Sequence, residues 1–237
     1  PFRGDYAYYE SFCDILVINR GVHEPLEEYA FQEILSRQSG SPVMLELGAY
    51  WGHYSMWLKQ TCPDATVILV EPEEKNIAAG RHNFRQNGYD GRFIQAFVGS
   101  DGFGVDAFLD AENISHLDIL HSDIQGYEIE MLQGAANVLS RKAVDYWFVS
   151  THSQYLHGAV IDKLTESGYR IELSSDFQNQ TTSFDGFLLA VHPELPPIFD
   201  SAALLGRTEI LTSEPEKLIA SLAHLNLPSQ TPHRYEE

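Results

Sequence analysis

Five short, strongly apolar segments recur along the chain, and helical patterning separates most of them. We predict strands in these segments, which are 43–48, 66–71, 92–98, 117–122 and 146–150. Helices are predicted at about 54–60 and 73–87, through 131–132, and at 158–167. Strands that alternate with helices of this length form parallel βαβ units, whose sheet is covered on both faces.

The alternation of predicted strands and helices ends after residue 167. Two further strands, 169–173 and 184–191, are joined by a polar stretch, which predicts an antiparallel hairpin that closes the sheet edge. We therefore predict an α/β fold with a mostly parallel, seven-stranded sheet, helices on both faces and a C-terminal antiparallel hairpin. This Rossmann-like architecture is that of the class I methyltransferases, although the alternation alone equally allows a nicotinamide-binding fold.

The chain length limits the number of domains. With 237 residues, 43% of them hydrophobic, the chain can bury one sizeable core but not two. We divide it into an aromatic and helical cap (1–40, with a helix near 25–37), a main domain (41–192), and a helical extension with a polar tail (193–237, with a helix at 215–225). No apolar run is long enough to predict a membrane span.

Charge and cysteine content restrict the partners. Fifteen Lys and Arg against 34 Asp and Glu give a net charge of −19, which repels polyphosphate backbones and argues against a nucleic-acid partner. Cys13 and Cys62 have no metal-ligand spacing and form no disulfide framework, and the first residues show no signal-peptide pattern. We expect a cytoplasmic protein with a small-molecule substrate; a homodimer is compatible with the sequence.

The turn after the first predicted strand is the first candidate site. It reads Glu-Leu-Gly-Ala-Tyr-Trp-Gly at 46–52, and its glycines let a ligand approach the backbone. Glu46, just before the turn, would repel a pyrophosphate but attract the ammonium and sulfonium groups of S-adenosylmethionine. We therefore predict that this cofactor binds here, at Glu46, Gly48, Ala49, Tyr50 and Gly52.

Acidic residues at the next two strand ends fit the rest of that cofactor. Glu71, followed by Pro72, is predicted to accept hydrogen bonds from the ribose hydroxyls. Asp101 is predicted to accept from the adenine amino group, with Ser100 as a second polar contact. The Asp-Gly step at 101–102 is also an ordinary turn signal.

The fourth and fifth strand ends carry the candidate catalytic residues. Asp123 is expected to face the methyl group, with Glu128 opening the next helix, where the helix dipole alone favours a carboxylate. His152 is expected beside Asp123. The pair could deprotonate an acceptor hydroxyl, with histidine as base, or could hold a divalent ion such as Mg²⁺; a purely structural histidine is the alternative. His157 is predicted to lie on the surface.

These motifs together resemble the FkbM-type methyltransferases over roughly residues 21–192. The likeness is carried by the glycine motif at 46–55, by Val-Glu-Pro at 70–72, and by Asp-Ile-Gln-Gly-Tyr-Glu at 123–128 with Leu-Gln-Gly-Ala at 132–135. Segments 105–109 and 150–152 also resemble the family. The resemblance implies transfer of a methyl group from S-adenosylmethionine to a hydroxyl on a sugar or small natural product. The positions of Asp123, His152 and Glu128 at the strand ends make them the predicted catalytic residues.

Two departures from the family pattern keep alternatives open. Gln125 replaces the family's usual glutamate, and the stretch between Ser100 and Val105 is short where relatives carry an insertion. N-methylation of a small amine and a degenerate cofactor-binding module are the alternative functions. Glu46 argues against the remaining rival, an NAD-dependent enzyme.

Overall fold

The computed structural model describes residues 16–17, 20–99, 102–199 and 205–224. Within these residues the sheet consists of β1 (Val43–Leu47), β2 (Thr66–Glu71), β3 (Arg92–Gln95), β4 (Leu117–Ser122), β5 (Val144–Thr151), β6 (Arg170–Ser175) and β7 (Gly186–Val191). The helices are α1 (Pro25–Leu35), α2 (His53–Thr61), α3 (Glu74–Asn87), α4 (Val105–Glu112), α5 (Glu128–Gln133), α6 (Ala136–Arg141), α7 (Gln154–Glu166), α8 (Arg207–Thr212) and α9 (Pro215–His224).

The seven strands form one mixed sheet in the order β3-β2-β1-β4-β5-β7-β6. The first five strands pair in parallel, whereas β7 lies antiparallel between β5 and β6. The predicted fold class is thereby confirmed, including the C-terminal hairpin.

The sheet has a topological switch point between β1 and β4. From β1 the chain proceeds outward through β2 and β3, then returns to place β4 on the other side of β1. In open α/β sheets the crevice outside the carboxyl ends of the strands at such a point is where ligands bind. The predicted turn at 46–52 and the segment after β4 meet there.

Helices cover both faces of the sheet, so the central strands are buried on both sides and are continuous hydrophobic runs. One core cluster packs the sheet against α4 to α7, and the other packs it against α1 to α3. Phe31 of α1 is fully buried and makes edge contacts with the rings of Tyr54 and Phe148. The helix predicted near 25–37 is therefore packed on the sheet, and α1 belongs to the same core.

Several predicted boundaries were wrong. The third strand was predicted at 92–98, but β3 ends at Gln95, and Val98 makes only an isolated bridge with Phe103. The helix predicted after β4 is two short helices, α5 and α6, and sequence patterning missed α4 and α8. The aromatic start of the chain (Tyr6, Tyr8, Tyr9) lies outside the described residues. Within the part of the chain that is described, none of the helices combines the length and apolarity needed to cross a bilayer.

Gly48, the first residue after β1, should tolerate no side chain. Its φ is +73°, and a Cβ there would lie 1.7 Å from the carbonyl oxygen of Asp123. We expect Gly48→Ala to lower the free energy of unfolding by about 3 kcal/mol or more, measured by urea denaturation. Gly40→Ala is the matched control, since Gly40 has the same φ but no atom within 4 Å of a Cβ. It should cost only about 1 kcal/mol, the penalty of the left-handed conformation. Equal losses in the two variants would show that the contact with Asp123 is unimportant.

Candidate active site

A cavity of about 600 Å³ opens at the carboxyl ends of β1, β2 and β4. Its walls come from the loops after these strands, from His23 and Glu24 just before α1, and from the connection before β7. The predicted cofactor residues Glu46, Gly48, Ala49, Tyr50, Glu71 and Pro72 all line it, as does Asp123.

The glycine turn is held in place by β2. The backbone N–H groups of Gly48 and Ala49 both donate to the carbonyl of Val70, at 2.9 and 3.0 Å. Gly52 begins α2 with φ +81°, and a Cβ there would approach the ring of Phe84 to 2.9 Å. Both glycines therefore permit close packing and left-handed backbone within the protein, and this shapes the turn.

Glu46 lies beneath the turn and is almost fully buried. Its Oε2 accepts hydrogen bonds from the backbone N–H of Ser55, at 3.1 Å, and from the Ser55 hydroxyl. Burial raises the pKa of Glu46, while His121 and the Ser55 hydrogen bonds oppose the rise. The carboxyl group is thus positioned by α2 at the floor of the cavity.

Glu71, the last residue of β2, is also buried and is fixed by three donors. Its Oε2 accepts from the Tyr50 N–H at 2.9 Å, and its Oε1 accepts from the Glu73 N–H and the Asn76 side chain, both at 3.0 Å. A carboxylate has about four lone-pair directions, so this arrangement leaves acceptor capacity for a ligand. The side chain is preorganised for the predicted ribose contact.

Ser100 and Asp101 lie outside the described residues, so their predicted adenine contacts remain predictions. The neighbouring wall is described: Phe97 and Tyr127 both line the cavity and pack edge to face, with ring centroids 4.5 Å apart. These two partly exposed aromatic rings border the side of the cavity beyond β2.

The three predicted catalytic residues meet in one cluster. His152, just after β5, places its Nδ1 2.6 Å from Oε1 of Glu128 and its Nε2 3.1 Å from Oδ1 of Asp123. Glu128 is fully buried, whereas 32% of the Asp123 side chain is exposed toward the cavity mouth. The imidazole is therefore clamped between two carboxylates, one behind it and one facing the cavity.

The two carboxylates determine the protonation state of His152. Burial disfavours its charge, but the hydrogen bonds with Asp123 and Glu128 outweigh burial and raise its pKa to about 10. Burial likewise opposes ionisation of Asp123, and His152 more than offsets it, so the pKa of Asp123 falls below its usual range. At neutral pH the pair is an imidazolium and a carboxylate, which conflicts with the predicted role of His152 as base.

Because His152 is protonated in the folded protein, the stability of the fold should decrease as the pH becomes alkaline. The folded-state pKa of His152 lies above the unfolded value of 6.5, so its contribution is complete below pH 6.5 and is lost as pH rises through about 10. We expect the free energy of unfolding to fall more steeply between pH 8 and pH 10.5 in the natural protein than in His152→Gln. Urea denaturation across this range measures the difference, and parallel curves for the two proteins would contradict it.

Asp185 joins this cluster and was missed by the sequence analysis. The predicted strand 184–191 begins only at Gly186, so Asp185 lies in the preceding connection and lines the cavity. Its Oδ1 lies 3.6 Å from Nε2 of His152. Burial raises the pKa of Asp185 to about 6, with the His152 charge opposing and the Asp123 and Glu128 charges adding to the rise. No pattern in the polar stretch before β7 distinguished this residue.

Two groups among the described residues have the geometry to hold a divalent ion. Asp123, His152 and Asp185 each offer one ligand atom, and these atoms lie within 4.8 Å of one another. The second group consists of His116, Asp118 and Asp145 and lies at the amino ends of β4 and β5, on the other edge of the sheet from the cavity. Only the first group borders the cavity.

Helix α1 contributes a buried polar network that the sequence analysis also missed. Oε1 of Glu27 lies 2.6 Å from Nε2 of His121, and Oε2 accepts from the Ser150 hydroxyl at 2.8 Å. Burial raises the pKa of Glu27 to about 8, with the Ser150 hydrogen bond opposing it. Glu24, which accepts from the Tyr54 hydroxyl at 3.2 Å, lines the cavity. A glutamate in the first turn of a helix indicates by itself only a favourable contact with the helix dipole. The contacts of these glutamates with residues distant in sequence could therefore not be predicted from the local pattern.

The prediction that His157 lies on the surface was wrong. Its side chain is buried, with Nδ1 2.8 Å from the Thr151 hydroxyl and Nε2 3.0 Å from the Ser174 hydroxyl. Through these two contacts His157, in the first turn of α7, links the ends of β5 and β6. It supports the strand that carries His152.

Comparisons with known proteins agree with this geometry. The family model described as "Methyltransferase FkbM domain" matches residues 24–171. A curated protein of Jannaschia sp. (strain CCS1), named "Putative methyltransferase", is 25% identical over 75% of this chain and 82% of its own length.

Solved structures share the fold at low sequence identity. The M. capricolum TrmK structure, in complex with S-adenosylhomocysteine, has a TM-score of 0.52 and 12% identity, covering 82% of this chain and 84% of its own. Precorrin-6y C5,15-methyltransferase from Geobacter metallireducens GS-15 has a TM-score of 0.50 and 12% identity, covering 70% of this chain and 87% of its own. The family match spans more than half of the chain and includes the turn at 46–52 and the Asp123–His152–Glu128 cluster. The chain therefore belongs to the FkbM family of S-adenosylmethionine-dependent methyltransferases.

Proposed function

We propose that this protein transfers a methyl group from S-adenosylmethionine to a hydroxyl group of a small acceptor, such as a carbohydrate. The observation that carries this proposal is Asp123, a carboxylate exposed to the cavity at the switch point and held by the His152 imidazolium. A hydroxyl acceptor must lose a proton during transfer, and Asp123 is placed to receive it. The aromatic residues at the mouth, Phe97, Tyr127 and Phe184, suit the apolar face of a sugar ring.

The cofactor would lie across the switch point. Glu71 would accept from the ribose hydroxyls, while Glu46 at the floor would face the ammonium group of the methionine part. The turn from Gly48 to Tyr50 would pass along the cofactor, with Pro72 beside the ribose. Asp123 would face the methyl group. When bound, S-adenosylmethionine supplies the electrophilic methyl carbon.

The cluster residues would act as a unit. Glu128 orients His152 through Nδ1, and the His152 imidazolium fixes the carboxylate of Asp123 through Nε2. A carboxylate is a sufficient base here, because an alcohol becomes strongly acidic as its oxygen is methylated. In this proposal Asp123 is the base and His152 orients it, whereas the sequence predicted His152 as the base. A metal ion at Asp123 and His152 remains a prediction without support among the relatives.

Gln125 supports an active enzyme more than a degenerate binding module. Its backbone has φ +51°, and its side-chain amide donates to Oδ1 of Asp123 at 3.0 Å. A neutral donor holds the reacting carboxylate in place, whereas the family's usual glutamate would repel it at this distance. Glutamine at position 125 is therefore compatible with an active enzyme.

The experiment has two stages. Isothermal titration should first show micromolar binding of S-adenosylmethionine and S-adenosylhomocysteine, and no binding at tens of micromolar would overturn the proposal. Formation of S-adenosylhomocysteine is then measured with a panel of hydroxyl acceptors and matched amines. N-methylation of the amines without any methylation of hydroxyls would replace the proposed reaction by its N-methyl alternative. Cytoplasmic location and a homodimer stay predictions.

A further inference from the structure

The acceptor side of the cavity carries an unbalanced negative charge. The carboxylates of Asp123, Glu128 and Asp185 lie 3.1, 2.6 and 3.6 Å from the nitrogens of one imidazolium, His152. The cluster thus has an excess of two negative charges in a half-buried place. Uncompensated charges in such surroundings are costly unless a ligand pairs with them.

No cationic side chain among the described residues that line the cavity offsets this excess, because burial lowers the pKa of each of its three histidines, His23, His53 and His121. Among the described residues that line the cavity there is no lysine or arginine, whereas six are acidic: Glu24, Glu46, Glu71, Glu73, Asp123 and Asp185. A phosphate or carboxylate on the acceptor would meet repulsion with no cation to pair with it. When bound, the sulfonium of the cofactor would offset one of the two excess negative charges. One negative charge would remain. Of the three carboxylates, Asp123 accepts from Gln125 and Glu128 accepts from the Gly126 N–H, whereas no described residue donates to the carboxylate of Asp185.

We propose that Asp185 is a specificity residue and that the acceptor is a hydroxylated amine whose ammonium group binds there. This inference rests on the proposed function, and it adds the acceptor's charge: a monovalent cation and no anionic group. A divalent ion in the same place would overcompensate the single remaining charge and would oppose the sulfonium. The ammonium leaves Asp123 free to receive the proton of the hydroxyl.

The backbone at Asp185 is held by contacts on both sides, as a specificity residue requires. Its backbone carbonyl accepts from the Thr181 hydroxyl at 2.5 Å. The next residue, Gly186, is packed so closely that a Cβ would lie 2.6 Å from the Thr151 hydroxyl and 3.1 Å from Nδ1 of His157. The backbone of Asp185 is thereby tied to the ends of β5 and β7, which places its carboxylate 3.6 Å from His152. The ring of Phe184, 65% exposed, flanks it at the cavity mouth.

The step itself balances in charge and atoms. The acceptor O–H bond breaks, and its proton passes to Asp123 while the oxygen forms its new bond to the methyl carbon. The electrons of the carbon–sulfur bond return to sulfur, which gives the neutral thioether. The ammonium on Asp185 does not react, because a protonated amine has no lone pair to accept a methyl group.

The test uses the full chain saturated with S-adenosylhomocysteine. Ethanolamine, serinol and glucosamine are titrated, each against its N-acetyl derivative, by isothermal titration. We expect at least one amine to bind about tenfold or more tightly than its N-acetyl form. Asp185→Asn should reduce this ratio to about threefold or less, and Asp185→Glu should keep most of it. Asp162→Asn, an exposed site on α7, is the charge-matched control and should leave the ratio unchanged.

Three outcomes would overturn the inference. They are equal binding of the amines and their N-acetyl forms, an unchanged preference in Asp185→Asn, or binding of Mn²⁺ after EDTA treatment that Asp185→Asn abolishes. The last result would assign the cation site to a metal ion. Failure of S-adenosylhomocysteine to bind would instead contradict the proposed function, so the two failures are distinguishable.

Discussion

Replacing Asp123 with asparagine is expected to slow methyl transfer about 10³-fold while the affinity for S-adenosylhomocysteine changes by less than about threefold. The amide keeps the size of the side chain but cannot receive the acceptor's proton, and it presents no charge to the His152 imidazolium. The rate is measured as S-adenosylhomocysteine formed in a single turnover with a hydroxyl acceptor identified in the panel.

The same variant has a readout that does not depend on the acceptor. His152 owes its raised pKa to hydrogen bonds with Asp123 and Glu128, so loss of the Asp123 charge should lower that pKa. An NMR titration of the His152 ring measures it. Asp110→Asn, an exposed position on α4, is the control for both measurements. Unchanged turnover together with an unchanged His152 pKa would show that Asp123 has neither role.

Replacing Glu71 with glutamine is expected to weaken S-adenosylhomocysteine binding about 100-fold, a loss of about 2.7 kcal/mol. The carboxylate would accept from the ribose hydroxyls and already accepts from Tyr50, Glu73 and Asn76. A glutamine has a single acceptor oxygen, so its amide N–H₂ must face one of these donors. The variant therefore loses the ligand contact and disturbs the turn that Tyr50 belongs to.

Isothermal titration measures this loss, with Glu74→Gln as the matched control. Glu74 is an exposed residue in the first turn of α3, so its neutralisation removes the same charge without touching the cavity. Thermal unfolding of the ligand-free variants separates a binding effect from a folding effect. If both variants bound the cofactor product as well as the natural protein does, Glu71 would have no part in the site.

The family resemblance was readable from short local patterns. Residues 46–52 and 123–128 each combine a buried strand end with a turn, and both requirements are local in sequence. The family match over residues 24–171 confirms what these motifs predicted. The boundaries that were wrong lie where tertiary contacts decide. For example, β3 ends at Gln95, which pairs with Glu71, the last residue of β2.

The amino-acid sequence by itself determined the fold class and the cofactor type, because period-two and helical patterns, glycine turns and acidic strand ends are written within a few residues of one another. Only the tertiary structure showed the cluster of charged side chains beside the cavity. Asp185 reaches His152 from a connection 33 residues away, and Glu27 reaches His121 across 94 residues. The protonation of His152 depends on three carboxylates from two segments distant in sequence from it, 123–128 and the connection before β7, so its charge is a property of packing and could not be read from the residues around it.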